Sequence, residues 1–429
     1  MNRFFSRLIL AAWMVVASGA GMILYVGPKT AVSPASTSAG PGIDALYALL
    51  YLYFGLMILI SYRDCLPLLL KEKWIFALWL WAVASVAWSE AHGVSLRRCV
   101  ALLGTTAAAL FLASRFEPKQ QIRLVAHCIG FTAVISLVAA LLFPEYAIQN
   151  TGEWTGVFYQ KNVLGHAMAL GVFSYTFLAL GDRRGRLFNL LMAALCGGLI
   201  VMAQSMSAML VCTTMFVLLR FRNVLLLRAR HVVAFATAAF VLGVPITIYV
   251  IHHMGQILKA LGRDPTLTGR TALWDSVLTE IATRPWLGFG YSAFWVTSEG
   301  DRVQAQLGFT TNHSHNGYLE VTLGLGLIGA AILFIVLMTN ILRGIRQVQH
   351  SESIFDFWPL FYLLYAVMDN FTESWLVMTN SLLWMLFVAN AYWIVRDSLV
   401  PVTDQDEDDD SDLVPDFAPG TTIATDPIS

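Results

Sequence analysis

Apolar stretches long enough to enter or cross a lipid bilayer recur along the whole chain, and they constrain its fold more than any motif does. Twelve are readable: 7–27, 43–61, 73–88, 99–115, 122–143, 163–181, 187–204, 207–221, 232–251, 318–341, 355–369 and 376–396. A helix needs about 20 apolar residues to cross the hydrocarbon core, and backbone in lipid must satisfy its own hydrogen bonds. Composition agrees: 57% of residues are apolar and 13% charged, against roughly 45–50% and about 25% in a soluble domain. The expectation is an all-α polytopic transmembrane bundle of about 12 spans.

The first apolar run lacks a small-x-small cleavage site and is followed by further spans, so it reads as a span rather than a cleaved signal. Cys65, Cys99, Cys128, Cys196 and Cys212 fall in or beside spans, and an odd number argues against a disulfide framework. Charge sorting sets the orientation. With the N-terminus in the cytoplasm, two-thirds of the 27 Lys and Arg residues lie inside. Lys259, Arg263, Arg270, Arg284 and Arg302 lie in one long outer loop, which the positive-inside rule does not govern. Both termini are then cytoplasmic, as expected of an inner-membrane protein.

Four parts follow: spans over 1–251, a long periplasmic loop with short helices over 252–317, C-terminal spans over 318–396, and an acidic, disordered cytoplasmic tail over 397–429. Residues 271–283 read as an interfacial helix with Leu273, Trp274, Val277, Leu278 and Ile281 as its apolar stripe and Pro285 beyond its end. Gly324, Gly326 and Gly329 read as points of close helix packing. Trp286 and Tyr291 read as an interfacial aromatic belt.

The polar residues left on the outer face form six pieces. They are Trp88-Ser89-Glu90 with Arg97-Arg98, Tyr159-Gln160-Lys161-Asn162, and Ser205-Met206-Ser207. Gly269-Arg270 with Arg284–Tyr291, Thr311–Glu320, and Asp369–Ser374 complete the set. Ionisable groups at a bilayer edge are costly to keep, and histidine exchanges protons near neutral pH. Arginine grips phosphate oxygens bidentately. Arginines beside His313 and His315 therefore suit a phosphate-bearing, membrane-delivered substrate. His166, one turn past Lys161-Asn162, and His127 read equally well as core histidines. No cysteine or second histidine pair accompanies His313 and His315, so no metal site or cofactor is expected.

In order, Trp88-Ser89, Lys161-Asn162, Gly269-Arg270…Trp274, Arg284-Pro285…Gly288-x-Gly290 and His315-Asn316-x-Tyr318-Leu319…Gly324…Gly329 resemble the O-antigen ligase and polymerase superfamily of bacterial membrane glycosyltransferases. The nearest likeness is to exopolysaccharide production proteins of the ExoQ type, carried by Phe158–Gly165, Ser205-Met206-Ser207 and Thr372-Glu373-Ser374. The resemblance spans roughly residues 75–395. It implies an undecaprenyl-diphosphate-linked oligosaccharide as donor, periplasmic transfer without metal, His315 as base and Arg270 on the diphosphate. Lys161 and Arg97 or Arg98 would complete the phosphate site, with Asn162 beside Lys161. His313, Asn316 and Glu373 would shape the acceptor side. Many ligases carry Ser-Arg where this chain has Ser205-Met206, which favours the polymerase branch over a ligase acting on a lipid A core. The expected partners are the lipid-linked donor, the bilayer and other polysaccharide export components, with no nucleic acid. A lipid-linked oligosaccharide flippase is the reading from another class; its polar residues should cluster at the midplane rather than at one face.

Overall fold

The computed structural model describes residues 3–20, 41–222, 270–351 and 353–397. The apolar stretch 232–251, the loop portion 252–269 with Gly269, and the tail after 397 lie outside them. The described residues form helices, with one isolated β-bridge between Ile148 and Trp154. In chain order these are α1 (Arg3–Ala17), α2 (Pro41–Ile60), α3 (Tyr62–Lys71), α4 (Lys73–Ala84), α5 (His92–Arg115), α6 (Pro118–Leu142), α7 (Lys161–Gly181), α8 (Arg186–Ala203) and α9 (Met206–Arg220). Then come α10 (Arg270–Thr283), α11 (Ser298–Leu307), α12 (Gly317–Val348), α13 (Trp358–Asp369) and α14 (Leu382–Asp397), with single turns between several of them.

The all-helical expectation holds among the described residues, where the count of about 12 spans is not confirmed. Five of these helices (α5, α6, α7, α8 and α12) are long and apolar enough to cross a bilayer. The pair α2–α3, bent by 96°, makes a sixth if it counts as one broken span. Shorter apolar helices are α1, α4 with the turn that follows it, α9 and α14. A hydropathy pattern registers an apolar run wherever a helix is buried, whether in lipid or among other helices.

Local chemistry explains where helices begin. Pro118 sits at the start of α6, where a missing N–H costs nothing, and Glu117 and Gln120 form a reciprocal capping box. Helix α7 is the central element, with 83% of its apolar window buried. It packs on α8, α6 and α9. Small residues permit that closeness: a Cβ on Gly171 would stand 2.7 Å from Ile129 Cγ2 and 2.8 Å from Cys196 Sγ.

Helix α12 is broken at Gly326, whose φ of 68° is non-helical. The segment 285–290 fills the break with its own backbone. Phe289 N donates to Leu323 O at 2.9 Å, Gly290 N to Gly324 O at 2.9 Å, and Leu327 N to Pro285 O at 2.8 Å. Trp81 Nε1 takes the Leu325 carbonyl at 2.9 Å. Groups freed by the kink are thus re-paired, as a low-dielectric setting demands. A Cβ at Gly326 would lie 2.1 Å from the Trp286 carbonyl oxygen. Gly324 and Gly326 therefore admit a loop backbone, where the sequence suggested a neighbouring helix, while a Cβ on Gly329 would meet Trp81 of α4 at 3.3 Å.

Candidate functional site

The ends of α7, α9, α10, α12 and α13 meet at one end of the bundle, and the charged side chains they carry converge on Glu373. Its Oε1 accepts from Arg270 Nη2 at 3.3 Å and lies 3.5 Å from His166 Nε2. Its Oε2 lies 3.8 Å from His315 Nδ1. Arg270, the first residue of α10, also donates through Nη1 to the Thr372 carbonyl at 2.7 Å. The side chains of Arg270, Glu373 and His315 are 15%, 13% and 18% exposed. They are screened from bulk solvent yet reachable.

The backbone is bent to aim these groups. His315 has φ 52°, a left-handed conformation uncommon outside glycine. Its N–H donates to His313 Nδ1 at 3.2 Å, and the two rings lie 4.0 Å apart. Burial pushes His313 down to about 3, with the neighbouring His315 and Arg270 acting the same way against Glu373. His313 thus stays neutral and able to accept that N–H. Asn316 caps α12: its Oδ1 accepts from Tyr318 N at 3.0 Å and Leu319 N at 3.1 Å. Gly317 then packs on Asn370, donating to its carbonyl at 2.9 Å, and a Cβ there would fall 2.2 Å from Asn370 Oδ1.

Burial alone would push the Glu373 carboxyl up. The neighbouring imidazoles of His166 and His315 and the guanidinium of Arg270 overcome it and hold the group well below the usual carboxylate range. Glu373 is a fixed anion. Arg270 carries one charge shared between that anion and a neutral carbonyl.

Residues 191–334 match the family model described as O-antigen ligase. The chain is 33% identical over 326 residues to the exopolysaccharide production protein ExoQ of Rhizobium meliloti (strain 1021), covering 70% of this chain and 72% of that protein. The chain belongs to the O-antigen ligase family. A protein of Rickettsia prowazekii (strain Madrid E), provisionally named a polysaccharide ligase, is 26% identical over 136 residues, 30% of this chain and 33% of its own. One of Rickettsia typhi (strain ATCC VR-144 / Wilmington), named likewise, is 26% identical over 143 residues, 32% and 34%.

The structure distributes the sequence-derived candidates of this family member unevenly. Arg270, His313, His315 and Glu373 share one cluster, and Asn316 borders it through its cap. Asn162 joins indirectly: Ser205 Oγ donates to its Oδ1 at 3.2 Å, and Ser207, beside Ser205, reaches His166 Nε2 at 3.1 Å. Lys161 donates to Glu153 at 2.8 Å instead. Arg97 is exposed. Arg98 is committed to Ser292, donating to its carbonyl and, at 2.7 Å, to its Oγ.

Two motifs turn out to hold each other. Trp88 Nε1 donates to Leu287 O at 3.1 Å, Arg284 pairs with Glu90 at 2.6 Å, and Ser95 Oγ donates to Tyr291 O at 3.0 Å. A Cβ at Gly290 would lie 2.4 Å from Ser89 Cβ. Tyr291 is 5% exposed, with its hydroxyl donating to Val377 O at 2.5 Å. It is therefore a clamp between loops, whereas Trp286, 65% exposed, keeps its expected place at the surface. The stripe of α10 also differs from expectation. Leu278 is 53% exposed, and Glu280 is buried in its place, paired with Arg302 at 2.7 Å.

Sequence reasoning missed Asp369 as a partner for His166. Their ion pair is 2.5 Å long, with side chains 4% and 0% exposed. Only Asp369's place at the end of an apolar run signalled it.

Proposed function

We propose that this protein is an inner-membrane glycosyltransferase that joins lipid-diphosphate-linked oligosaccharide repeats into an exopolysaccharide on the periplasmic face. The observation that carries the reading is Glu373 shared between an arginine and a histidine, half-enclosed at one end of a membrane bundle. The acceptor hydroxyl oxygen attacks the anomeric carbon as His315 Nε2 takes its proton. The bond from that carbon to the diphosphate breaks, and its electron pair leaves with the undecaprenyl diphosphate. Arg270 supports the developing negative charge, and the anomeric configuration inverts. Glu373, opposite His315 Nδ1, orients the ring and steadies the imidazolium.

Charge sorting supports the outward orientation. Reporter fusions within 182–186 should read cytoplasmic and fusions within 298–307 periplasmic; a cytoplasmic signal from 298–307 ends the mechanism. A ligase reading is favoured by the family description and by the names of the Rickettsia relatives. The ExoQ relative, matched over far more of the chain, favours polymerisation. Purified protein in lipid with a defined lipid-diphosphate oligosaccharide distinguishes them. Polymer formed from donor alone supports the polymerase, and product formed only when a lipid A core is added makes it a ligase.

A further inference from the structure

Behind Glu373, away from the histidine motif, lies an imidazole–carboxylate pair that the transfer chemistry does not use. His166 Nδ1 stands 2.5 Å from Asp369 Oδ1, and Nε2 on the far side of the ring stands 3.5 Å from Glu373 Oε1. The pair is braced. Asp369 Oδ2 accepts from Trp375 Nε1 at 2.5 Å, Ser207 Oγ lies 3.1 Å from His166 Nε2, and Tyr365 donates to the His166 carbonyl at 3.4 Å. Carboxylate and imidazole thus alternate through Asp369, His166, Glu373 and His315.

The groups facing Glu373 are Arg270 from α10, His166 from α7, His313 and His315 before α12, Tyr159 before α7, and Tyr365 and Asp369 from α13. Burial keeps His313 neutral, so among the described residues positive charge beside Glu373 can come from Arg270, His166 and His315. With Asp369 2.5 Å from Nδ1 and Glu373 3.5 Å from Nε2, an imidazolium at His166 is attracted to both carboxylates at once, which a neutral ring is not. Asp369 and Glu373 against Arg270 alone would leave one enclosed negative charge uncompensated, which is costly. His166 supplies the missing charge and leaves His315 free to be a neutral base.

We propose that His166, oriented by Asp369, is a positioning residue that keeps Glu373 ionised while Arg270 turns to the donor diphosphate, so that Glu373 retains His315 throughout transfer. The proton taken from the acceptor stays on His315; none passes to Glu373. This deepens the function proposed above and rests on it.

The test uses full-length protein in lipid nanodiscs. His166→Gln alone strands a buried Asp369, so the decisive variant is His166→Gln with Asp369→Asn, which removes both charges. Infrared pH titration should show the Glu373 carboxyl, assigned by its loss on adding Glu373→Gln, protonating about 1 pH unit higher than in the parent, the low end for losing a close opposite charge, because the ring 3.5 Å away is removed together with the carboxylate on its far side. The melting temperature should stay near the parent's, while KM for an undecaprenyl-diphosphate oligosaccharide rises and kcat falls. An unshifted carboxyl titration overturns the proposal. So does a change in kinetics that merely tracks a lowered melting temperature. The infrared arm does not depend on turnover. If the carboxyl shifts but Arg270→Ala turns over normally, His166 still governs Glu373 and the donor role of Arg270 falls.

Discussion

The two ends of the bundle use the same residue types and arrange them differently. At the end away from the site, acids and bases meet in simple pairs: Arg123 with Asp182 at 3.4 Å, Arg396 with Glu117 at 2.8 Å, and Arg343 with Glu72. At the site end one carboxylate, Glu373, answers to Arg270, His166 and His315 together. The backbone differs too. His315 and Val377 hold φ of 52° and 56° at the site end, and a β-branched residue rarely does so. A simple pair has one stable arrangement. An oversubscribed carboxylate lets a partner leave without being stranded, and a strained backbone held by its surroundings is a common mark of function.

If that contrast is real, substitutions at the two ends should separate activity from stability. The largest effect should come from His315→Ala, with turnover down by about 10²–10⁴, the usual contribution of a general base, and donor binding retained. Product formation and donor binding are measured separately on purified protein in lipid. A variant that fails only because donor no longer binds refutes the assignment. Arg270→Ala should cost about 10²–10³ in turnover, and Arg270→Lys should restore little because a point charge cannot replace a bidentate fork.

The far end should behave in the opposite way. Arg343→Ala leaves Glu72, 0% exposed, without its guanidinium. Stability should fall by about 2–3 kcal/mol, at or below the lower end for a buried pair because the arginine is partly exposed, while kcat of the folded fraction is unchanged. Melting curves in detergent and activity per folded molecule decide it.

The pH response offers a finer contrast. His313 has a folded value of about 3 against an ordinary 6.5. Between those values the unfolded chain binds a proton that the folded one does not, so stability rises with pH across that window and is lost as pH falls through it. His313→Asn should flatten that slope in melting curves recorded from pH 4 to 7; an unchanged slope places its origin elsewhere. Glu373 acts in the same direction at lower pH, because its folded value is depressed. The smallest effect belongs to Arg396→Ala. That pair is half-exposed and should contribute less than about 1 kcal/mol, with turnover unaltered.

Much of this was legible in the residues themselves. Apolar runs announced helices because a buried helix must be apolar: ten of the twelve proposed stretches lie wholly within the described residues and are largely helical, as is the described part of 7–27. The cluster of Arg270, His313, His315 and Glu373 was legible because charge in an apolar chain needs a reason to be there. The runs could not say which helices cross a bilayer and which are merely buried, since both environments exclude water. Nor could they show that Gly326 interrupts α12, because a break is tolerated only when segment 285–290 arrives to take its hydrogen bonds.

Sequence alone thus determined that this chain is a helical membrane protein with its candidate site residues gathered in a few polar segments. Tertiary structure decided which of those side chains share a carboxylate. Lys161 was drawn to Glu153 and Arg98 to Ser292, while His166, equally readable as core, was set between Asp369 and Glu373. Electrostatic partnership depends on distance through a low-dielectric interior, and segments remote in sequence acquire that distance only when the helices pack.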